Sequence, residues 1–516
     1  MPGHTITCPY CFREFKDDEV HFRMETVFSE DDLDPKKEHR SREEIEMDSR
    51  FGSDEIKRQL AEYDRRERFL KRNDEKYEAF WSGFTGTTEK PSVSRDGKMP
   101  SVMPYERPVF DPRNQSQAQF FSKPLKESDV INETGMVYAA YDCFGKQTQR
   151  RVCPHCHNPL PGAYGKYPVK FISIIGISGA GKTVYLSQLC KYIAKQISYF
   201  DITATPTSIY ARDYLEANPI IMGESLPIGT PPEQLLQPLC FDLVYRDNGR
   251  ENYHTVVFYD IAGENCVNLE QMRGFGQFVE HSDGIIMLID PAQFSESSDK
   301  AQPVMVLETI FNLFAHKNRD EVRNLPLAIC ISKGDKVAME MIGQNNLEDI
   351  QFLQDNSGEF LPKFNSEDYN KIHDAIKKFV QRNDNELHTR MRNLYDNYNY
   401  FLFSAIGTAT KKIEGTDLDT PAGPPIPKRI MEPVVWMLYK FKFISSHGTI
   451  HEPKDWKCGG CGRYLRVQQE FCPECLTNKD GKWLCPRCHT LQDGTWCTTP
   501  KCKTNKHGKR KGLFSK

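Results

Sequence analysis

Apolar residues along this chain follow two rhythms, and the change from one to the other marks out its parts. Between residues 171 and 403, short apolar runs recur at 171–175 (FISII), 239–245, 254–259, 284–289 (GIIMLI), 326–331 and 400–403 (YFLF). Runs this short, bounded by polar or glycine-rich turns, predict strands buried on both faces. Helical spacing fills the intervals at 184–198, 269–281, 304–316, 367–381 and 431–443. The segment 201–209 reads as a strand or a loop, and Asp247-Asn-Gly249 carries a hairpin signal between two strands. Strands alternating with helices predict an α/β fold with a mostly parallel sheet and helices on both faces.

The rest of the chain has no such rhythm. Residues 13–80 are highly charged, with apolar positions loosely at helical intervals over 54–80. Residues 82–126 turn to Ser, Thr, Pro, Gly and Gln, the composition of a linker or surface-wrapping loop. The expected organisation is a split metal module (1–12 with 143–166), a charged insertion (13–142), an α/β domain (167–447), a double metal module (452–505) and a basic tail (506–516).

Candidate chemistry concentrates where the first core strand ends. Gly176-Ile-Ser-Gly-Ala-Gly181-Lys182-Thr183 matches G-x-x-x-x-G-K-[ST]. Gly176, Gly179 and Gly181 allow the backbone to curl so that N–H groups point at phosphate oxygens. Lys182 reaches the β- and γ-phosphates, and the Thr183 hydroxyl ligates Mg²⁺. The helix that follows adds its positive end. Asp260 closes another strand in the sequence Asp260-Ile-Ala-Gly263-Glu264. An acidic residue there holds Mg²⁺ through water, and the glycine lets its N–H approach a γ-phosphate.

Of the 17 cysteines, most fall in C-x-x-C pairs, which favours metal over disulfides in a chain of this kind. Cys8/Cys11 and Cys153/Cys156 suggest one zinc site split by the insertion; two unrelated reduced turns are the alternative. Loop closure grows only logarithmically with length, so the long insertion is no objection. His155, His157 and Cys143 are read as incidental. Cys458/Cys461, Cys472/Cys475, Cys485/Cys488 and Cys497/Cys502 predict two further zinc sites. Sequential pairing gives tandem ribbons, and a cross-braced pairing is the alternative. So short a segment has little core of its own, and metal must supply much of its folding energy.

A net charge of −3 gives no global basic signature for nucleic acid. No apolar run approaches the eighteen or more residues of a membrane helix, and the first residues lack a signal-peptide core, so a cytoplasmic location without membrane attachment is expected.

The series GISGAGKT (176–183), DIAG (260–263), SKGD (332–335) and SA (404–405) resembles the motif series of TRAFAC-class P-loop GTPases. The resemblance implies a GTPase-like sheet and a hydrolase acting on GTP with Mg²⁺. It implies nucleotide contacts from Gly176, Ser178, Gly179, Ala180, Gly181, Lys182, Thr183, Val184, Asp260, Gly263, Ser332, Lys333, Asp335, Ser404 and Ala405. Asp335 and Lys333 would recognise guanine, with Ser332 standing where Asn or Thr is usual. Thr230 would be the switch threonine closing on Mg²⁺ beside Thr183 and Asp260, and Lys182, Thr230 and Glu264 would carry catalysis. Glu264 occupies the place of the water-orienting Gln of Ras-like members, a departure that bears on hydrolysis rate. Arg273 is a candidate internal arginine finger. Joined to zinc ribbons, the series is similar to bacterial conflict-system GTPases of the double-GTPase kind, which implies antiviral defence and protein partners such as a second GTPase or an effector. The alternatives are a non-hydrolysing nucleotide-gated scaffold, a P-loop ATPase, and nucleic-acid contact through the ribbons and tail.

Overall fold

Seven strands pair into one sheet in the order β7-β6-β5-β1-β4-β3-β2. They are β1 Val169–Gly176, β2 Ile202–Pro206, β3 Leu239–Asp247, β4 Arg250–Asp260, β5 Gly284–Ile289, β6 Leu327–Ile331 and β7 Tyr398–Leu402. Strands β4, β1, β5, β6 and β7 are mutually parallel, and β3 runs antiparallel between β4 and β2. The computed structural model describes residues 5–25, 42–70, 74–82, 108–113, 136–142, 146–207, 209–227, 229, 238–247, 250–266, 269–275, 277–294, 303–314, 317–334, 337, 364–446, 456–461, 464–465, 471–472, 475–500, 502–505 and 507.

The alternation of side chains along each strand sorts the core into two faces. On one face, Ile175, Ile285, Met287, Ile329 and Ile331 pack with helices α3 (Leu269–Phe275), α4 (Pro303–Leu313), α5 (Ser366–Asn383) and α6 (Asn385–Leu394). On the other, Ile172, Ile174, Ile286, Leu288 and Cys330 pack with α1 (Lys182–Gln196) and α7 (Glu432–Lys440). Sheet residues are thus covered on both sides, which explains the continuous apolar runs.

Several elements depart from expectation. Within 201–209 the strand alternative holds for Ile202–Pro206, the edge strand β2, whose buried Ile202 and Ala204 alternate with exposed Thr203 and Thr205, but an unexpected helix, α2 (Ile209–Ala217), follows. Over the expected helical stretch 269–281, the described residues Leu269–Phe275 (α3) and Gln277–Glu280 are helical. Past 381, the Asp384 carboxylate accepts from Leu387 N (2.8 Å) and starts α6 as a new helix. A hairpin of Thr410–Lys412 and Asp419–Pro421 follows β7.

The N-terminal segments fold onto the first of these faces. Thr5–Thr7 and Glu14–Lys16 form a hairpin, and His21–Arg23 pairs with both Val109–Phe110 and Arg151–Val152. Part of the expected linker therefore supplies a strand. The charged region forms helices Ser53–Leu70 and Glu75–Ser82, and Trp81 Nε1 in the second donates to Asn158 Oδ1 (3.0 Å). Near the C-terminus two short hairpins carry the remaining cysteines: Trp456–Lys457 with Tyr464–Leu465, and Trp483–Leu484 with Leu491–Gln492. Among the described residues no helix is long and apolar enough to cross a membrane.

Candidate functional site

The parallel strands β1, β4, β5, β6 and β7 end at one edge of the sheet, the edge where ligands bind in open α/β sheets. There Gly176, Gly179 and Gly181 all take positive φ (153°, 82° and 83°), and the loop they shape ends as Gly181 caps α1. Ser178 and Gly179 at the loop tip are exposed, whereas Lys182 and Thr183 at the helix start are buried. Lys182 Nζ donates to Gly176 O (2.7 Å) and Ile177 O (3.2 Å), so the ammonium group is folded over the loop with one of its three donors remaining for a phosphate oxygen.

Asp260 ends β4 in register with Ile174 on β1, and its side chain is buried. Three residues on, Gly263 touches the phosphate loop directly. A Cβ at 263 would lie 2.2 Å from Ser178 N and 2.7 Å from Ile177 C, so no side chain fits there without moving one loop off the other. The next strand ends are joined as well. Ser332 N and Oγ both donate to Ile289 O (2.8 and 3.1 Å), and Gly334 N donates to Phe403 O (2.8 Å). Ser404 is buried, exchanges backbone bonds with Lys428, and its Oγ accepts from Gly407 N (2.9 Å). Lys333, in the left-handed region (φ 54°), pairs through Nζ with Asp290 Oδ2 at the end of β5. Sequence reading did not single out Asp290; its position one residue beyond a core strand was the available signal.

The structure thus brings together Gly176, Ser178, Gly179, Ala180, Gly181, Lys182, Thr183, Val184, Asp260 and Gly263. It sets Ser332, Lys333, Ser404 and Ala405 along the neighbouring strand ends. Thr230, Asp335 and the Glu264 side chain lie outside the described residues; the Glu264 backbone belongs to the short turn Gly263–Cys266. Arg273 is exposed on α3.

The cysteines form three groups of four: Cys8, Cys11, Cys153 and Cys156; Cys458, Cys461, Cys472 and Cys475; and Cys485, Cys488, Cys497 and Cys502. In each group the sulfurs lie within 4.8 Å of one another, and all of these thiols are free of disulfides. The pairing is therefore sequential, and the cross-braced alternative does not occur. Sulfurs held about 2.3 Å from zinc at tetrahedral angles are about 3.8 Å apart. Cys8 to Cys156 and Cys11 to Cys153 are 3.7 and 3.8 Å, and the corresponding C-terminal distances are 3.4 to 3.6 Å. The donor sets fit a tetrahedral thiolate site. Hydrogen bonding with the Thr490 and Thr499 hydroxyls holds the Cys488 thiol down at about 5, favouring the thiolate form that ligates metal.

One turn geometry recurs in the knuckles. Phe12, His157, Leu476 and His489 each follow the second cysteine of a pair, take φ of 53° to 55°, and donate their N–H to the carbonyl of the first cysteine. Their identities, with no glycine among them, gave no sequence signal for this. His157 is not a ligand: its Nδ1 lies 2.6 Å from Asp74 Oδ1, and Asp74 also accepts from Arg23 (2.8 Å).

The split group is embedded. Cys8, Tyr10 and Phe12 share the core cluster of Phe171, Tyr259 and Phe278. Phe12 stacks on His281 (4.6 Å, 2°), and Tyr259, one residue before Asp260, donates its hydroxyl to Pro9 O (2.6 Å) between the two ligands.

Residues 170–386, under half of the chain, match the family described as Double-GTPase 2. SaeC of Mycolicibacterium smegmatis, provisionally described as an ESX-1 scaffolding and assembly protein, is 22% identical over 169 residues, which are 31% of this chain and 43% of that protein. The chain thus spans less than half the length of this relative. Elongation factor SelB from Methanococcus maripaludis overlaps at 12% identity with a TM-score of 0.20, covering 46% of this chain and 30% of SelB. The G domain of the T. maritima iron transporter FeoB does so at 12% identity and 0.17, covering 34% of this chain and 82% of that domain. At these scores the overlaps add nothing to the strand order.

Proposed function

We propose that this protein is a Mg²⁺-dependent guanine-nucleotide switch that hydrolyses GTP, with zinc held by its three cysteine groups. The observation that carries the reading is the contact of Gly263 with the Ser178 backbone, which joins the phosphate loop to the Asp260 strand end where a γ-phosphate would lie. The loop amides and Lys182 bind and orient the phosphates, and Thr183 with Asp260, joined by Thr230, hold the metal. When bound, Mg²⁺ neutralises charge on the β- and γ-phosphate oxygens. Glu264 positions the attacking water, and Lys333 and Asp335, flanked by Ser332 and by Ser404-Ala405, select guanine. The cysteine groups, with all-thiolate ligands and no open position, are structural or partner-binding. A multiple-turnover phosphate-release assay with GTP tests the reading: release should exceed that of Lys182→Ala, and equal release refutes hydrolysis. ATP should compete with labelled GDP far more weakly than GTP does; equal competition refutes the guanine assignment.

A second reading is favoured by the SaeC relative: a nucleotide-gated scaffold that binds GTP without turnover and recruits a protein partner through its cysteine modules. Tight nucleotide binding without phosphate release, with or without candidate partners such as a second GTPase, would select it.

A further inference from the structure

The helix that sequence reading missed, α2, lies against the start of α1. Ser187 Oγ, one turn beyond Thr183, donates to Asn218 O (2.7 Å). Asn218 in turn donates through N and Nδ2 to Tyr214 O, at 3.0 Å each. These bonds lock the two helices together with Tyr214 alongside Thr183. The Tyr214 ring packs on the core cluster that includes Tyr185 and Leu186 of α1. Its hydroxyl is sealed from solvent and makes no aligned hydrogen bond to any described group. The Thr183 hydroxyl lies within its hydrogen-bonding reach, and the Asp260 carboxylate and the Cys190 thiol are close enough to act on it electrostatically. A phenolic hydroxyl can both donate and accept.

We propose that Tyr214 is a positioning residue of the phosphate–metal pocket, its phenol oxygen accepting the hydrogen of Thr183 so that the threonine lone pair faces Mg²⁺. The inference rests on the nucleotide-binding reading above. A hydroxyl that ligates a cation offers a lone pair and must place its own hydrogen elsewhere, and the buried Tyr214 hydroxyl is an acceptor within reach. A buried hydroxyl without a partner is also costly, about 1–3 kcal/mol, whereas Mg²⁺ usually keeps several of its waters when bound. The phenol hydrogen then goes to the Asp260 carboxylate or to one of those waters. Tyr214 thereby acts through Thr183 rather than on the nucleotide.

The test is a MgCl₂ titration of labelled-GDP binding to the full chain and to Tyr214→Phe, which keeps the ring and removes only the hydroxyl. The variant should need about fivefold more Mg²⁺ for half-maximal tightening, the worth of one net hydrogen bond. Its GDP affinity in EDTA and its thermal midpoint should match the wild type. A merely structural role would shift the thermal midpoint and leave the Mg²⁺ requirement in place. A wild type that depends on Mg²⁺, with Tyr214→Phe titrating identically, overturns the inference alone. A wild type whose nucleotide binding ignores Mg²⁺, or that binds no nucleotide, overturns the inference together with the reading beneath it.

Discussion

The split cysteine group and the C-terminal groups have the same four thiols and the same knuckle geometry, but they are built into the molecule in opposite ways. Cys8 and Cys153 belong to the core cluster that contains Phe171 of β1 and Tyr259 of β4. Cys458 and Cys472 form a cluster with Cys475, and Cys485, Cys497 and Cys502 form one with Trp483 and Cys488. In the first case the metal site is a continuation of the nucleotide domain's core. In the second the four cysteines are nearly the whole core, so each C-terminal module would need a metal to fold. The same local chemistry therefore serves as an internal prop in one place and as a self-contained unit in the other.

The most damaging way to break this contrast is to remove one ligand from each kind of site. Structural zinc contributes about 10–16 kcal/mol of folding free energy in small metal-folded peptides. Cys153→Ser should therefore lose nucleotide binding along with N-terminal structure. Cys485→Ser should lose one equivalent of bound metal and leave GDP affinity within about twofold, because Cys485 clusters with Trp483, Cys488, Cys497 and Cys502 and shares no core cluster with the sheet. Metal analysis beside GDP titration reads both. A loss of GDP affinity in Cys485→Ser would refute the independence of the C-terminal unit.

A smaller effect separates the two environments at one matched backbone position. Phe12 and His489 both sit in the left-handed region after a knuckle, at φ 55° and 53°. Phe12 is buried against Phe171, Tyr259 and His281, whereas His489 is exposed. Phe12→Gly should destabilise by about 3–5 kcal/mol through lost packing. His489→Gly should be neutral or stabilising by up to about 1 kcal/mol, since glycine takes that φ without strain. Denaturant unfolding of the two variants gives the comparison directly.

The smallest change removes a single atom. Tyr259→Phe deletes the hydrogen bond to Pro9 O and should cost about 1 kcal/mol. Because Tyr259 adjoins Asp260, the linkage must act in both directions: chelating the N-terminal metal should weaken nucleotide binding, and nucleotide should slow chelation. Tyr259→Phe should reduce that reciprocal effect, as measured by metal release to a chelator with and without GDP.

What the sequence disclosed follows from where its physics is local. The phosphate loop needs glycines, a lysine and a hydroxyl within eight positions, and the preceding strand shows as an unbroken apolar run; both are visible without tertiary contacts. The four-cysteine groups are visible because few other roles place thiols three positions apart so often. The bond between Tyr259 and Pro9 spans 250 positions, and no periodicity reports it. The same holds for Lys333 with Asp290, and for α2, whose nine residues are too few to show a clear stripe. The left-handed residues of the knuckles stayed hidden because Phe, His and Leu occupy positions where glycine would have announced the turn.

The separation between Cys11 and Cys153, 142 positions, also sets a clock. A ribosome adding about 5–20 residues per second leaves roughly 7–30 s between the emergence of the first knuckle and its partner. Through that interval the nascent chain presents two thiols without their partners, although Tyr10 already has Phe80 and Trp81 to pack against. The second knuckle then emerges just ahead of β1. A metal held by this group would thus be fully enclosed only as the first strand of the sheet leaves the ribosome, with its site complete beside Phe171 before the rest of the nucleotide domain has been made.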